Sequence, residues 1–257
     1  MSATTTDAAT AGQQVERSNG LGQYLAMPLF LVVVCTALYL FVSSQELDTI
    51  EAQRLNIDYI VGSVLRHLYL VAVSTVLVIL IAVPLGILLT RPFARSLTPA
   101  LVTVANTGQA IPSLGVIVLL ALTLGFGVRF AIVALVVYAF LPVLRNTMVG
   151  LQQVDPSIIE AGRGMGMSKR RALAKIELPL AIPVMLAGVR TALVINVGTA
   201  AIATLINAGG LGDIIYQGLI TSRRLVIVTG GILTAVLALL IDYLAGIAEE
   251  ALGPRGL

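Results

Sequence analysis

The stretch Asp155-Pro156-Ser157-Ile158-Ile159-Glu160-Ala161-Gly162-Arg163-Gly164-Met165-Gly166-Met167-Ser168-Lys169-Arg170-Arg171, running on to Ile176-Glu177-Leu178-Pro179, is a polar island in an oily chain. Asp155 can accept from the free N–H groups of a first helical turn, and Pro156 at the first helical position has no donor to leave unpaired. Gly162, Gly164 and Gly166 weaken and end that helix. Ser168 is placed to cap a second helix through Lys169, Arg170, Arg171 and Lys175, expected to end at Leu178-Pro179 as the chain re-enters the membrane. The segment reads as helix, turn, helix at a membrane face.

What surrounds the island is apolar. Hydrophobic residues make up 58% of the 257, charged residues 11%, and mean hydropathy is +0.98, which describes an integral membrane protein rather than a soluble domain. A helical span needs about 20 mostly apolar residues. Six are expected, at about Leu25 to Val42, Leu68 to Leu89, Leu101 to Leu124, Phe130 to Val149, Ile182 to Ile206 and Leu225 to Ile247. The fold class is therefore all-α, a polytopic membrane helical bundle. Residues 1–24 are Thr, Ala, Ser, Gly and Gln rich and read as a disordered tail, and the first apolar run reads as a retained span rather than a signal peptide.

The net charge of +3 and pI near 9.2 do not indicate nucleic acid, because the basic residues are dispersed and lack aromatic interleaving. Positive-inside bias accounts for them. With the Glu160 loop cytoplasmic, Arg17, Arg91, Arg95, Arg145, Arg163, Lys169, Arg170, Arg171, Lys175 and Arg255 lie inside, and both termini are cytoplasmic. Arg54, Arg66, Arg129, Arg223 and Arg224 fall outside, the last two mildly against the rule. Ser43 to Arg66 reads as an acidic outer loop.

Two spans carry polar faces. Ala110-Ile111-Pro112-Ser113 interrupts the third, where proline removes a backbone donor and forces a kink. At 100° per residue, Asn106, Gln109 and Ser113 fall within about 60° of one another. In the fifth span Gly188, Ala192, Asn196, Thr199, Ala203 and Asn207 fall within about 100°. Such faces either line a pathway or cement helix packing.

A phosphate cradle is excluded, since Gly162 to Lys169 has neither the P-loop order nor a preceding strand. The spacing matches another pattern. Glu160-Ala161-Gly162, three residues, Gly166, nine residues, Ile176, one residue, Leu178-Pro179 resembles the EAA loop of type I ABC-importer permeases, with Gly162 in place of the second alanine. Gln109-Ala110-Ile111-Pro112-Ser113, Leu141-Pro142-Val143-Leu144-Arg145-Asn146-Thr147, Val154-Asp155-Pro156, Gly164-Met165-Gly166-Met167 and Ala208-Gly209-Gly210-Leu211-Gly212-Asp213 narrow the likeness to osmoprotectant permeases for glycine betaine, carnitine and choline. It runs from about Gly62 to Leu244.

The resemblance implies a transmembrane domain over 62–247 with its coupling loop at 155–179, preceded by a first span and outer loop at 25–61 and followed by a cytoplasmic tail at 248–257. It implies a second permease subunit, identical or different, two cytoplasmic ATPases carrying ATP and Mg, and an extracytoplasmic binding protein. Ile158, Ile159, Glu160, Ala161, Gly162, Gly166, Ile176, Leu178 and Pro179 would seat on the ATPase. Asn106, Gln109, Pro112, Ser113, Asn196, Thr199 and Ala203 are pathway or gate candidates. Asn207, Gly209, Gly210, Gly212 and Asp213 are candidate contacts for the binding protein, against the reading of a plain turn. No catalytic set, metal site or cofactor of its own is expected in this chain. An amino acid or other small solute is the rival cargo; an ion-coupled secondary transporter, which should show repeats and paired intramembrane acids, and a membrane scaffold are the rival classes.

Isolated residues complete the reading. Arg190, inside a span and opposite the small-residue face, reads as an interhelical pairing or snorkelling group, with Asp242 a candidate partner. The single histidine, His67, adjoins Arg66 and is expected at the membrane interface. The single cysteine, Cys35, reads as a buried inert thiol and forms no internal disulfide.

Overall fold

The computed structural model describes residues 21–94 and 96–252, and the regular structure among them is entirely helical. Residues 1–20 of the expected tail with Arg17, Arg95, residues 253–257 with Arg255, and the side chain of Gln109 lie outside the described residues.

Among the described residues five helices are long and apolar enough to cross a membrane: α1 (Leu21–Ser43), α3 (Ile57–Leu89), α6 (Val128–Gln152), α9 (Leu178–Ile202) and α11 (Arg224–Leu252). A sixth candidate is the pair α4 (Thr98–Ala110) and α5 (Ser113–Leu124), bent by 96°, which is either one broken span or a re-entrant loop. The joint is a break rather than the expected kink. Pro112 disfavours helical geometry in the residue before it, and Ile111 (ψ 132°) and Pro112 (ψ 136°) are both extended. Short helices α2 (Thr49–Arg54), α7 (Pro156–Gly164), α8 (Lys169–Ala172) and α10 (Leu211–Ile220) sit between the spans.

The core is the three-way packing of α3, α6 and α9. Leu70, Val71, Leu135, Val197 and Ile206 fill one half and Val78, Val143 and Leu144 the other, all 2% exposed or less. Small residues let the backbones approach. A Cβ on Gly188 would lie 2.6 Å from Asn146 Cβ and 2.9 Å from the Pro142 carbonyl, so α9 and α6 can cross this closely only with glycine there. By contrast α1 packs chiefly on α11, where Tyr243 Oη donates to the Tyr24 carbonyl at 2.6 Å and Tyr24 Oη to Glu250 at 2.8 Å.

The outer loop is largely helical. Asp48 and Glu51 form a reciprocal capping box on α2, and Arg223 pairs with Asp48 at 2.6 Å. Asn56 Oδ1 accepts from the Tyr59 N–H at 2.8 Å and starts α3 at Ile57, well before the expected Leu68. Two single residues also differ. Cys35 is exposed on α1, because that helix has a neighbour along one side only. His67 is fully buried rather than interfacial: its Nε2 lies 3.0 Å from the Val197 carbonyl and its Nδ1 accepts from the Leu211 N–H at 3.3 Å, tying α3 to α9 and to the start of α10.

Candidate functional site

Asp155 caps α7 by accepting from the Ser157 N–H at 2.8 Å, with Pro156 in the first turn. That N–H favours the ionised carboxylate and holds the Asp155 carboxyl below its ordinary value. The helix ends at Gly164, and the chain reverses through Gly166 at φ +88°, a region that favours glycine. Ser168 then accepts from the Arg171 N–H at 3.3 Å to open α8.

The second helix does not stop at Leu178-Pro179. A π turn over Leu173–Glu177 carries α8 directly into α9, with the Leu178 N–H bonded to the Leu173 carbonyl. Pro179 has no N–H, and it falls where the ladder shifts from five-residue to four-residue spacing, so the missing donor interrupts little.

Two contacts hold the loop together and a third ties it to the bundle. Ile176 packs on Gly162, where a Cβ would push the end of the Ile176 side chain aside. Ile159 is half-buried in a cleft beside Leu173. Glu177, 7% exposed, pairs with Arg91 at 2.8 Å, and Arg91 also donates to Thr90 Oγ1 at 3.0 Å and to the Ile87 carbonyl. The Arg91–Glu177 tie escaped the sequence reading, where Glu177 was only a spacer; an acid beside the membrane end of one helix and a cation at the end of another was the available signal. Leu178 and Pro179 are half-buried.

What remains outward is Ile158, Glu160, Ala161 and Met165, all exposed, with Glu160 free of ion pairs among the described residues. The apolar pair is thus divided, Ile158 facing out and Ile159 facing in. A small amphipathic knob is held at one end of the bundle on a stiff base.

The polar faces separate. Asn106 and Pro112 are exposed and Ser113 half-buried at the α4–α5 break, beside exposed Val104, Ile111, Leu114 and Leu122. Asn196 and Thr199 on α9, and Ala203 in the turn just after it, are buried inside this chain, and Asn196 Nδ2 donates to Ser74 Oγ at 3.0 Å and Thr75 Oγ1 at 3.1 Å. In this structure α3 and α6 cover that face. Arg190 pairs with Asp242 through two bonds of 2.6 and 2.8 Å and reaches Glu249 at 3.5 Å, joining α9 to α11.

At the opposite end from α7 the glycine-rich turn is shorter than expected. Only Asn207 to Gly210 is irregular, with Asn207, Gly209 and Gly210 at positive φ, and Leu211 begins α10. Gly212 is buried against the Ala201 backbone and Asp213 accepts from Thr204 in the first turn of α10. Burial pushes the Asp213 carboxyl up, against the opposing pull of Arg54 and Arg66. Asn207 and Gly209 line an open cavity of about 450 Å³ with Asp58, Ser63 and Arg66, which donates to the Ala208 carbonyl at 3.2 Å.

Residues 82–255, from the last two turns of α3 through α6, the loop, α9 and α11, match the family model described as binding-protein-dependent transport system inner membrane component. The chain belongs to this family. Similar proteins include the carnitine transport permease OpuCD of Listeria monocytogenes (40% identical over 206 residues, 80% of this chain and 92% of that protein). The osmoprotectant import permease OsmY of Salmonella typhimurium is 39% identical over 226 residues (88% and 94%). Among solved structures, an inward-facing MetNI methionine ABC transporter chain superposes with a TM-score of 0.66 at 27% identity, over 76% of this inner membrane component and 96% of that chain. An amino acid ABC transporter crystallised with histidines gives 0.65 at 17% identity, a likeness of fold alone. The architecture is that of a type I ABC importer transmembrane domain, in a multi-pass membrane protein.

Proposed function

We propose that this chain is the permease subunit of an ATP-driven importer of osmoprotectants, quaternary amines such as glycine betaine, carnitine, choline and proline betaine. The observation that carries the cargo class is the 39–40% identity, over 75–88% of the chain, to permeases named for carnitine, for osmoprotectants, or for glycine betaine, carnitine and choline. Methionine or another amino acid is the second reading, supported by the 27% identical MetNI neighbour.

In this reading α7 is the seat for a partner ATPase on which ATP and Mg are bound, with Ile158 and Met165 entering a groove and Glu160 meeting a basic residue. Nucleotide-driven closure acts on the loop, and the Ile176 and Arg91 ties carry it to α9 and α3, favouring one of two access states. A second permease subunit covers the exposed face of α4 and α5. An extracytoplasmic binding protein meets Asn207 and Gly209 at the other end. In this reading the α7 end is cytoplasmic, supported by Arg163, Lys169, Arg170, Arg171 and Lys175, and with six spans both termini lie inside the cell and the chain in the inner or plasma membrane. Quaternary ammonium groups favour aromatic cages, and with no Trp and 5% aromatic residues this chain leaves cargo recognition to the binding protein.

The test is uptake of labelled glycine betaine, carnitine, choline and methionine in cells lacking their own carriers, with the chain expressed beside its ATPase and binding protein. Quaternary amines should accumulate; accumulation of methionine alone would sink the cargo reading. Replacing Glu160 by Ala should lower ATPase association and uptake together, roughly tenfold for the loss of a charge-assisted contact of about 1.5 kcal/mol. Normal association and uptake would remove α7 from the role.

A further inference from the structure

Beneath α7 a cleft of about 320 Å³ opens between the Arg91 turn, the second half of α7 and α8. Its walls join Ile159 and Leu173 to four cations, Arg91, Arg163, Lys169 and Arg170, and one carboxylate, Glu177. Glu177 is already paired with Arg91. Arg163, Lys169 and Arg170 are exposed and form no ion pair among the described residues, so three positive charges converge uncompensated on a half-apolar cleft.

The surroundings indicate what neutralises them. On the same α3–α4 turn, Phe93 is 70% and Leu97 60% exposed, which suits contact with acyl chains and not with water. The cleft sits where α3 ends and α9 begins, which the cytoplasmic reading of α7 and α8 puts beside the headgroup layer.

We propose that this cleft holds the headgroup of an anionic phospholipid, its phosphate among Arg163, Lys169 and Arg170 and its chains passing Phe93 and Leu97. The inference rests on the cytoplasmic placement of α7 and α8 given above, where anionic lipids face a polybasic surface. A free phosphate offers the same charge without the chains; the two outward apolar side chains decide for the lipid. A lipid seated here touches α7 and the Arg91–Glu177 tie at once, so bilayer composition sets how firmly the loop is held.

The chain has no tryptophan, so Phe93→Trp provides a single reporter beside the cleft. In phosphatidylcholine bilayers, brominated phosphatidylglycerol should quench it at lower mole fraction than brominated phosphatidylcholine. The preference should fall at least tenfold in R163Q/K169Q/R170Q, each charge counting for roughly fivefold. It should also shrink in the otherwise unchanged F93W protein as salt rises, a readout independent of whether the triple variant folds. Equal quenching by the two lipids, a preference untouched by salt, or one that survives the triple variant while ATPase association is lost would overturn the proposal. Erasure of the preference by millimolar glycerol phosphate would assign the cleft to a soluble anion and overturn it too. Placement is checked separately: Ser168→Cys with Cys35→Ser should resist a membrane-impermeant maleimide in intact cells, and labelling from outside would remove the premise whatever the lipid result.

Discussion

Arg91 and Glu177 are the residues through which the loop is fastened to a second span. Removing either partner leaves a largely desolvated charge behind, a loss of up to about 3 kcal/mol that Arg91's own exposure reduces. We expect Glu177→Gln and Arg91→Gln each to lower uptake per ATP hydrolysed while ATPase association persists. The exchanged pair R91E/E177R should restore part of the coupling, and unchanged coupling in both single variants would reduce the pair to a surface contact. Gly188 tests packing at the same scale. A leucine there meets the Pro142 carbonyl and Asn146 Cβ, so overpacking should destabilise the α6–α9 crossing by about 1–3 kcal/mol, read as a lower melting temperature in detergent.

Among the elements, the α4–α5 pair is the one whose geometry hangs on a single side chain. Pro112→Ala returns a backbone donor and lifts the restriction on Ile111, so the 96° bend should open. Spin labels near residues 101 and 122 should move apart and uptake should fall, with insertion normal; an unchanged distance would show that packing against α6 sets the bend. The helix starts, Pro breaks and caps of the island could be read from residue types, because Asp155, Ser168 and Gly166 act locally. The early start of α3 was also written locally, in Asn56 and the apolar spacing of Ile57, Ile60, Val61 and Val64, but the acids Glu46 to Asp58 masked it as a loop. The Arg91–Glu177 tie, the burial of His67 and the covering of Asn196 were not legible, since each depends on which helix lies opposite. The π turn escaped for another reason: nothing in residue type distinguishes a five-residue ladder shift from a helix end before proline.

At the scale of the molecule, polar bonds join α9 to two other spans: Asn196 with Ser74 and Thr75 of α3, and Arg190 with Asp242 and Glu249 of α11. Asp242→Asn should lower thermal stability in detergent more than R190Q/D242N, because the single variant leaves the cation with a weaker partner; equal losses would show that the charges are independent. The exposed side of α4 and α5 is the face we assign to a second subunit. Leu122→Cys in a Cys35→Ser background should cross-link two permease subunits under mild oxidation, and monomer alone would place the interface elsewhere. The break at Ile111–Pro112 makes such a partner more than a convenience. The last carbonyls of α4 have no partner within their own helix, and hydrocarbon offers none. In the assembly proposed above, the companion subunit and the water between the two would take the part of solvent for this stretch of backbone. On that reading a single copy dispersed in lipid is an incompletely dissolved solute, and assembly is the condition under which the chain is soluble in its own membrane.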